Sequence, residues 1–363
     1  MGVSFFNNLP GIILSFLIAL LGIFFSNYLG TEIMGFDKSP ISSILLAVII
    51  GLLVSNIFSI SENFKLGIDF SIKKILRLGI ICLGIRLGLG DIINLGLAAL
   101  PLIIICLVSA LVIVIYLSKK INVSSKMAAL IAVGTSICGA SAIVATAPAI
   151  NADKEEVTYA IANITLFGIL VMFFYPFLAN FIFNGNEYAI GLFLGTSIHE
   201  TAQVAGAGLI YAEQFNSPEV LDIAAVTKLV RNTSMMIIIP LIAFIYRSNL
   251  KTTESVSNLS ILSMFPLFIL GFIAMGIFRT IGDITLQSSG YSFGLLGSND
   301  WVNIINTVKQ VAEISLAIAM ASLGLSTNLK SISSLGIKPF YLGFVAATSV
   351  GIVSFLVIKL IVI

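Results

Sequence analysis

The stretch from Asn94 to Leu117 reads NLGLAALPLIIICLVSALVIVIYL and holds no charged side chain. At about 1.5 Å per residue a helix of this length outreaches the hydrocarbon core of a bilayer, roughly 30 Å thick. It therefore predicts a transmembrane helix. Similar runs recur on both sides of it. Hydrophobic residues make up 58% of the 363 positions and charged ones 10%, where an ordinary soluble domain carries roughly 25% charged residues. A soluble fold of this size has too little interior for so much apolar surface. The composition thus predicts an all-α polytopic membrane protein.

Pro, Gly, Asn and charge clusters divide the chain into eleven expected segments. They are 10 to 29, 40 to 60, 72 to 88, 94 to 117, 125 to 150, 155 to 183, 187 to 213, 218 to 247, 260 to 280, 301 to 325 and 337 to 361. No connection is long enough for a soluble domain, so residues 1–363 read as a single transmembrane domain. The run from Pro10 to Gly30 lacks a positive flank and a small-residue cleavage site, and is expected to remain as the first helix. Positively charged loops stay cytoplasmic. With the N-terminus inside, the segments put 11 Lys and Arg on the cytoplasmic side against 5 on the other. The chain ends then fall on opposite sides.

The net charge of +2 and the scattered cations exclude a nucleic-acid partner. Cys82, Cys106 and Cys138 lie in or beside apolar runs without C-x-x-C spacing, and read as reduced packing thiols. An internal repeat also shows. Leu83-Gly84, Leu89, Ile92 and Leu95-Gly96 return at the same spacing as Leu323-Gly324, Leu329, Ile332 and Leu335-Gly336. On opposite membrane faces these copies would form an inverted-topology repeat, an arrangement common in secondary transporters.

Two segments carry an unusual polar load. Gly134-Thr135-Ser136-Ile137-Cys138-Gly139-Ala140-Ser141 collects small and hydroxylated residues near the middle of its segment. That predicts a broken helix, because irregular backbone at this depth is tolerated only beside protein or a wet cavity. The alternative is a continuous helix whose small residues serve close packing. The same tetrapeptide returns as Gly195-Thr196-Ser197-Ile198, followed by His199-Glu200-Thr201-Ala202-Gln203, and its matching depth and composition predict a second discontinuous helix that meets the first near mid-membrane. Thr196, His199, Glu200 and Gln203 would share one face of a continuous helix. A carboxylate at that depth costs at least about 2.5 to 3.5 kcal/mol, so Glu200 requires a partner or water.

On the next segment Lys228 and Arg231 lie one turn apart. Arg231 and Glu200 are expected at similar depth as an opposed pair, with the guanidinium fork available to an oxyanion. Lys309 and Glu313 form a weaker i,i+4 pair. His199 is the sole histidine, so an H-E-x-x-H zinc site is impossible, and no Walker A sequence occurs. Neither a cofactor nor a metal is expected, nor catalysis by the chain as an enzyme.

The runs GTSICGASA from Gly134, SIHETAQVAGAG from Ser197, KLVRN from Lys228 and MASLGLS from Met320 resemble the YeiH family, bacterial inner-membrane proteins labelled sulfate exporters. The resemblance spans almost the whole chain. It implies a multi-pass inner-membrane protein related to the cation/proton antiporter and anion transporter superfamily, with inverted repeats, discontinuous crossing helices and elevator-like movement in homodimers. It further implies a substrate site drawn from Thr135, Ser136, Cys138, Gly139, Ser141, Thr196, Ser197, His199, Glu200, Gln203, Lys228, Arg231 and Asn232. The expected activity is export of a small inorganic or organosulfur anion by a secondary transporter. The alternatives are a coupled importer of an organic anion and a passive channel.

Overall fold

A computed structural model describes residues 5–35, 39, 41–249, 265–327 and 337–362. Its helices, in order, are α1 Phe5–Asn27, α2 Ser43–Ile57, α3 Glu62–Phe70, α4 Leu76–Leu83 and α5 Leu89–Ile121. There follow α6 Ser125–Ser136, α7 Ala140–Thr146, α8 Lys154–Ile182, α9 Glu187–Ser197 and α10 Thr201–Phe215. The last are α11 Glu219–Thr233, α12 Met235–Asn249, α13 Phe268–Ser289, α14 Ser298–Ser326 and α15 Ile337–Ile361. No strand occurs among the described residues, so the all-α membrane class holds. Among the described residues, seven helical stretches are long and apolar enough to cross a bilayer unaided: 7–33, α5, α8, 219–246, α13, α14 and α15. The other expected segments are short, composite or broken.

The helix ends follow local chemistry. Asn122, Asn151, Asn184 and Asn216 all take positive φ between +50° and +53°, and each stands within two residues of the end of a helical stretch. Asparagine tolerates this left-handed conformation, which stops a helix. Ser42, Ser124 and Asn186 open α2, α6 and α9 by accepting a backbone N–H three residues on.

The chain divides into two compact units. One comprises Met1–Leu95, Gly208–Asp222 and Leu267–Leu329. Within it α14 packs on α2 closely enough that a Cβ on Gly51 would stand 2.7 Å from the Ala321 carbonyl, and one on Gly324 2.4 Å from that of Val48. Small residues let membrane helices approach in this way, with dispersion in place of a hydrophobic drive. The Glu213 carboxylate accepts from Ser42 Oγ (2.7 Å), Ser43 Oγ (2.8 Å) and the Ile44 N–H (3.4 Å), so it closes the N-terminus of α2. Arg86 Nε donates to Asp222 (2.6 Å), and Glu313 approaches the same guanidinium at 3.7 Å. The expected Lys309–Glu313 pair is not formed.

The other unit, Gly96–Ala207, Ile223–Pro266 and Lys330–Ile363, contains both polar segments. Each is broken, and neither crosses. The chain turns back after α6: a Cβ on Gly134 would meet Ile143 Cδ1 at 2.8 Å, Lys126 Nζ donates to the Asn151 carbonyl (2.6 Å) and Ser124 Oγ to Glu156 (2.5 Å). Residues 125–150 therefore form a re-entrant hairpin, hairpin 1, whose ends share one side. The Tyr246 hydroxyl donates to the Ser125 carbonyl, so that side is the one where α12 ends.

Hairpin 2, residues 187–215, points the other way. Gly195 of α9 lies against Ala224 and Thr227, while the Thr196 and Ile198 carbonyls reach Arg231. Hence α9 runs parallel to α11. Helix α10 runs against α11, since three residues join them, Gly208 abuts Leu221, and Asn232 donates to Thr201. The chain must reverse between α9 and α10. Each hairpin follows a long helix, α5 or α8, and the shared tetrapeptide starts at 134 and 195. Helix and hairpin thus recur in inverted orientation. The Leu/Gly repeat proposed from sequence is a different one; its second copy runs from Leu323 to Gly336, and Leu329, Ile332 and Leu335-Gly336 lie outside the described residues.

The hairpins make a topology prediction. In a background without native cysteines, Asn122→Cys and Asn151→Cys should label from one side of the membrane, and Asn184→Cys and Asn216→Cys from the other. Labelling of positions 122 and 151 from opposite sides would restore the crossing segment.

Candidate functional site

Helices α6 and α9 end at Ser136 and Ser197, where their last carbonyls lack helical partners. Those ends converge on Lys228 and Arg231, side chains 0% and 1% exposed. Lys228 Nζ donates to the carbonyls of Ile137 (2.9 Å), Ile198 (3.0 Å) and His199. Arg231 donates from Nε to Ser136 (2.7 Å), from Nη1 to Thr196 (2.5 Å) and Ile198 (3.1 Å), and from Nη2 to Thr135. Lysine has three N–H donors and arginine five, so one guanidinium N–H remains. Both cations also face the negative ends of two helix dipoles, each equivalent to roughly half a charge. Their position along 219–246 puts this junction midway along that helical stretch.

The expected opposed pair of Glu200 and Arg231 is not formed. No ion pair joins Glu200 to either cation among the described residues. Its Oε1 instead accepts from the Ala140 N–H at the start of α7 (3.3 Å) and, at 3.5 Å, from Thr165 Oγ1. The guanidinium fork expected to hold an oxyanion is committed to backbone. The reason is local: breaking two helices at one depth releases more carbonyl acceptors than a single carboxylate provides.

Thr196, His199, Glu200 and Gln203 do not share a helix face either, because α9 stops between the first and second of them and α10 begins only after the third. Thr196, in the last turn of α9, bonds Ser354 Oγ (2.7 Å), and Ser197, which ends it, bonds back to Phe193 (2.5 Å). His199 and Glu200 form the turn. Gln203 accepts from the Glu200 N–H (3.1 Å) and donates to the Thr165 carbonyl (3.3 Å), which closes the start of α10. In hairpin 1, Ser136 bonds back to Val133 and Cys138 Sγ lies 3.2 Å from Met235 Sδ. Gly139 takes φ +71°, and a Cβ there would stand 2.3 Å from Glu200 Cγ.

The junction therefore sorts the candidates. Thr135, Ser136, Thr196, Ser197, His199, Gln203, Lys228, Arg231 and Asn232 are buried. Ser141 is exposed, and Glu200 is partly open beside two residues that the sequence reading missed, Thr165 and Thr201. Isolated threonines in apolar helices give no spacing signal. Thr135 Oγ1, Asn232 Oδ1 and both His199 ring nitrogens have no hydrogen-bond partner of good geometry among the described residues. Such groups are costly to bury dry and mark the tips as a place for water or a polar solute.

The family described as conserved hypothetical protein 698 matches residues 10–343. The chain belongs to this family. It is the same family as the YeiH proteins that the motifs resemble. A UPF0324 membrane protein of Fusobacterium nucleatum is 35% identical over 356 residues, covering 96% of each chain. One from Streptococcus agalactiae is 32% identical over 349 residues, again covering 96% of each, and one from Clostridium tetani is 27% identical over 358. No solved structure matches the chain. A polytopic helical membrane protein is thus common ground for fold and relatives.

Arg231→Lys should be a folding lesion. Lysine has three donors and cannot serve four carbonyls on two hairpins, and each buried acceptor left unsatisfied costs about 1 to 3 kcal/mol. The purified variant should melt well below the parent, as should Gly139→Ala, whereas Ser141→Ala should melt like the parent. A parent-like melt for Arg231→Lys would show that the carbonyl bonds do not hold the junction.

Proposed function

We propose that the protein is a secondary transporter of a small anion in the bacterial inner membrane, with sulfate or sulfite export as the first reading. The observation that carries it is the meeting of two oppositely directed hairpins at one mid-span junction. A solute held between such tips can be exposed to either side by modest movement, and hairpins with half-helix ends at mid-membrane are costly without a solute to serve.

Charge supports an anion. Two cations face two helix C-termini of roughly −0.5 each, two N-termini of roughly +0.5 each, and one carboxylate. The balance is about one positive charge with Glu200 ionised. One monoanion would neutralise it, and a dianion would do so once Glu200 carries a proton. Selection would then come from backbone N–H groups and from the hydroxyls of Ser141, Thr165 and Thr201, with the two cations holding the hairpins. Outward movement of an anion from a negative interior is favoured by about 2.3 kcal/mol per charge per 100 mV.

Hairpin 1 also improves the proposed orientation. It moves Lys154 to the cytoplasmic side, so the Lys and Arg split becomes 12 against 4. The N-terminus remains inside.

Proteoliposomes loaded with labelled sulfate, sulfite, thiosulfate or small sulfonates should show saturable flux and counterflow for at least one. Flux that rises linearly without counterflow would identify a channel, and no flux of any of them would remove the anion reading. Glu200→Gln should still transport but lose pH dependence, because an amide cannot titrate. A parent-like pH profile would exclude Glu200 as the proton carrier.

A further inference from the structure

A cavity of about 350 Å³ lies away from the hairpin tips at the base of hairpin 1. Its polar lining is Ser118 and Lys119 from the last turn of α5, Ser125 and Lys126 from the first turn of α6, and Tyr246 near the end of α12. Its other wall is apolar, with Ile115, Ile242 and Ile245. These elements end together where membrane helices leave the hydrocarbon, so the lining passes from apolar to basic across one boundary.

The cations there are not consumed by the protein. Lys119 is exposed and has no ion-pair partner among the described residues. Lys126 gives one of its three N–H donors to the Asn151 carbonyl. The nearby carboxylate of Glu156 is held by Ser124 Oγ. We propose that this cavity binds an anionic phospholipid, its phosphate between Lys119 and Lys126 and its upper acyl chains on the isoleucine wall. A free inorganic anion would leave that wall unused, and a zwitterionic lipid would leave the lysines uncompensated. Basic pockets between helices on the cytoplasmic side are suited to anionic headgroups, and the volume lies in the range of small-molecule sites. A bound lipid would bridge the base of hairpin 1 to α12.

Native mass spectrometry of the purified full chain, with phosphatidylglycerol, phosphatidylcholine or glycerol phosphate added, tests this directly and independently of transport. Phosphatidylglycerol should be retained and should raise the melting temperature, and the other two should do neither. Lys119→Gln with Lys126→Gln should cut retention at least fivefold. Lys120→Gln should not, because that ammonium sits 4.8 Å over the Tyr116 ring and does not line the cavity. Lys119→Gln alone, at an exposed position, should lower retention and provides a folded variant should the double change misfold. Equal loss in Lys120→Gln would reveal general surface attraction. Equal stabilisation by glycerol phosphate would reveal a plain anion site, and equal retention of phosphatidylcholine a non-selective one. Any of the three overturns the proposal.

Discussion

Seven hydrogen bonds from Lys228 and Arg231 to the backbone of two broken helices are the constraint on which the rest of the second unit depends. A bilayer offers no water to free carbonyls, so a helix can stop at mid-membrane only where donors await it. One arginine and one lysine on adjacent turns of α11 supply those donors. The small residues of both tips follow from this demand, since the backbones must come within reach of two side chains. So does Gly139, whose missing Cβ leaves room for Glu200.

The first unit solves the complementary problem. There the carboxylate of Glu213 closes the N-terminus of α2 through two serines and an N–H. Carboxylate at an amino end and cations at carboxyl ends are the two favourable placements in a helix dipole. Lys228 and Arg231 thus answer to backbone and Glu213 to a helix start, and Arg86–Asp222 is the contrasting case of charge meeting charge.

Much of this was legible beforehand. Hydropathy located the apolar segments, and the clustered Gly, Thr and Ser of both GTSI runs located the breaks. Re-entry was not legible, because the mostly apolar 26-residue segment 125–150 suits one crossing as well as a hairpin of two half-length helices. Lys228 and Arg231 stood out as buried cations, yet their partners are carbonyls, which every residue carries and no sequence pattern announces. The stripe from Thr196 to Gln203 assumed a continuous helix and dissolved where the helix ends. Thr165 became visible only when the fold brought α8 beside the turn.

The long reach of the Arg231 bonds bears on how the protein is made. Ser136 and Arg231 are separated by 95 positions, so at roughly 5 to 20 residues per second the ribosome needs on the order of 5 to 20 seconds to deliver the partner. During that interval the tip of hairpin 1 has no donor for its carbonyls and cannot settle stably in hydrocarbon. Hairpin 2 is newly emerged when α11 arrives. The first hairpin must therefore wait at the membrane surface or inside the insertion machinery, and biogenesis of this chain ends with a folding step in which one late helix draws in an early one.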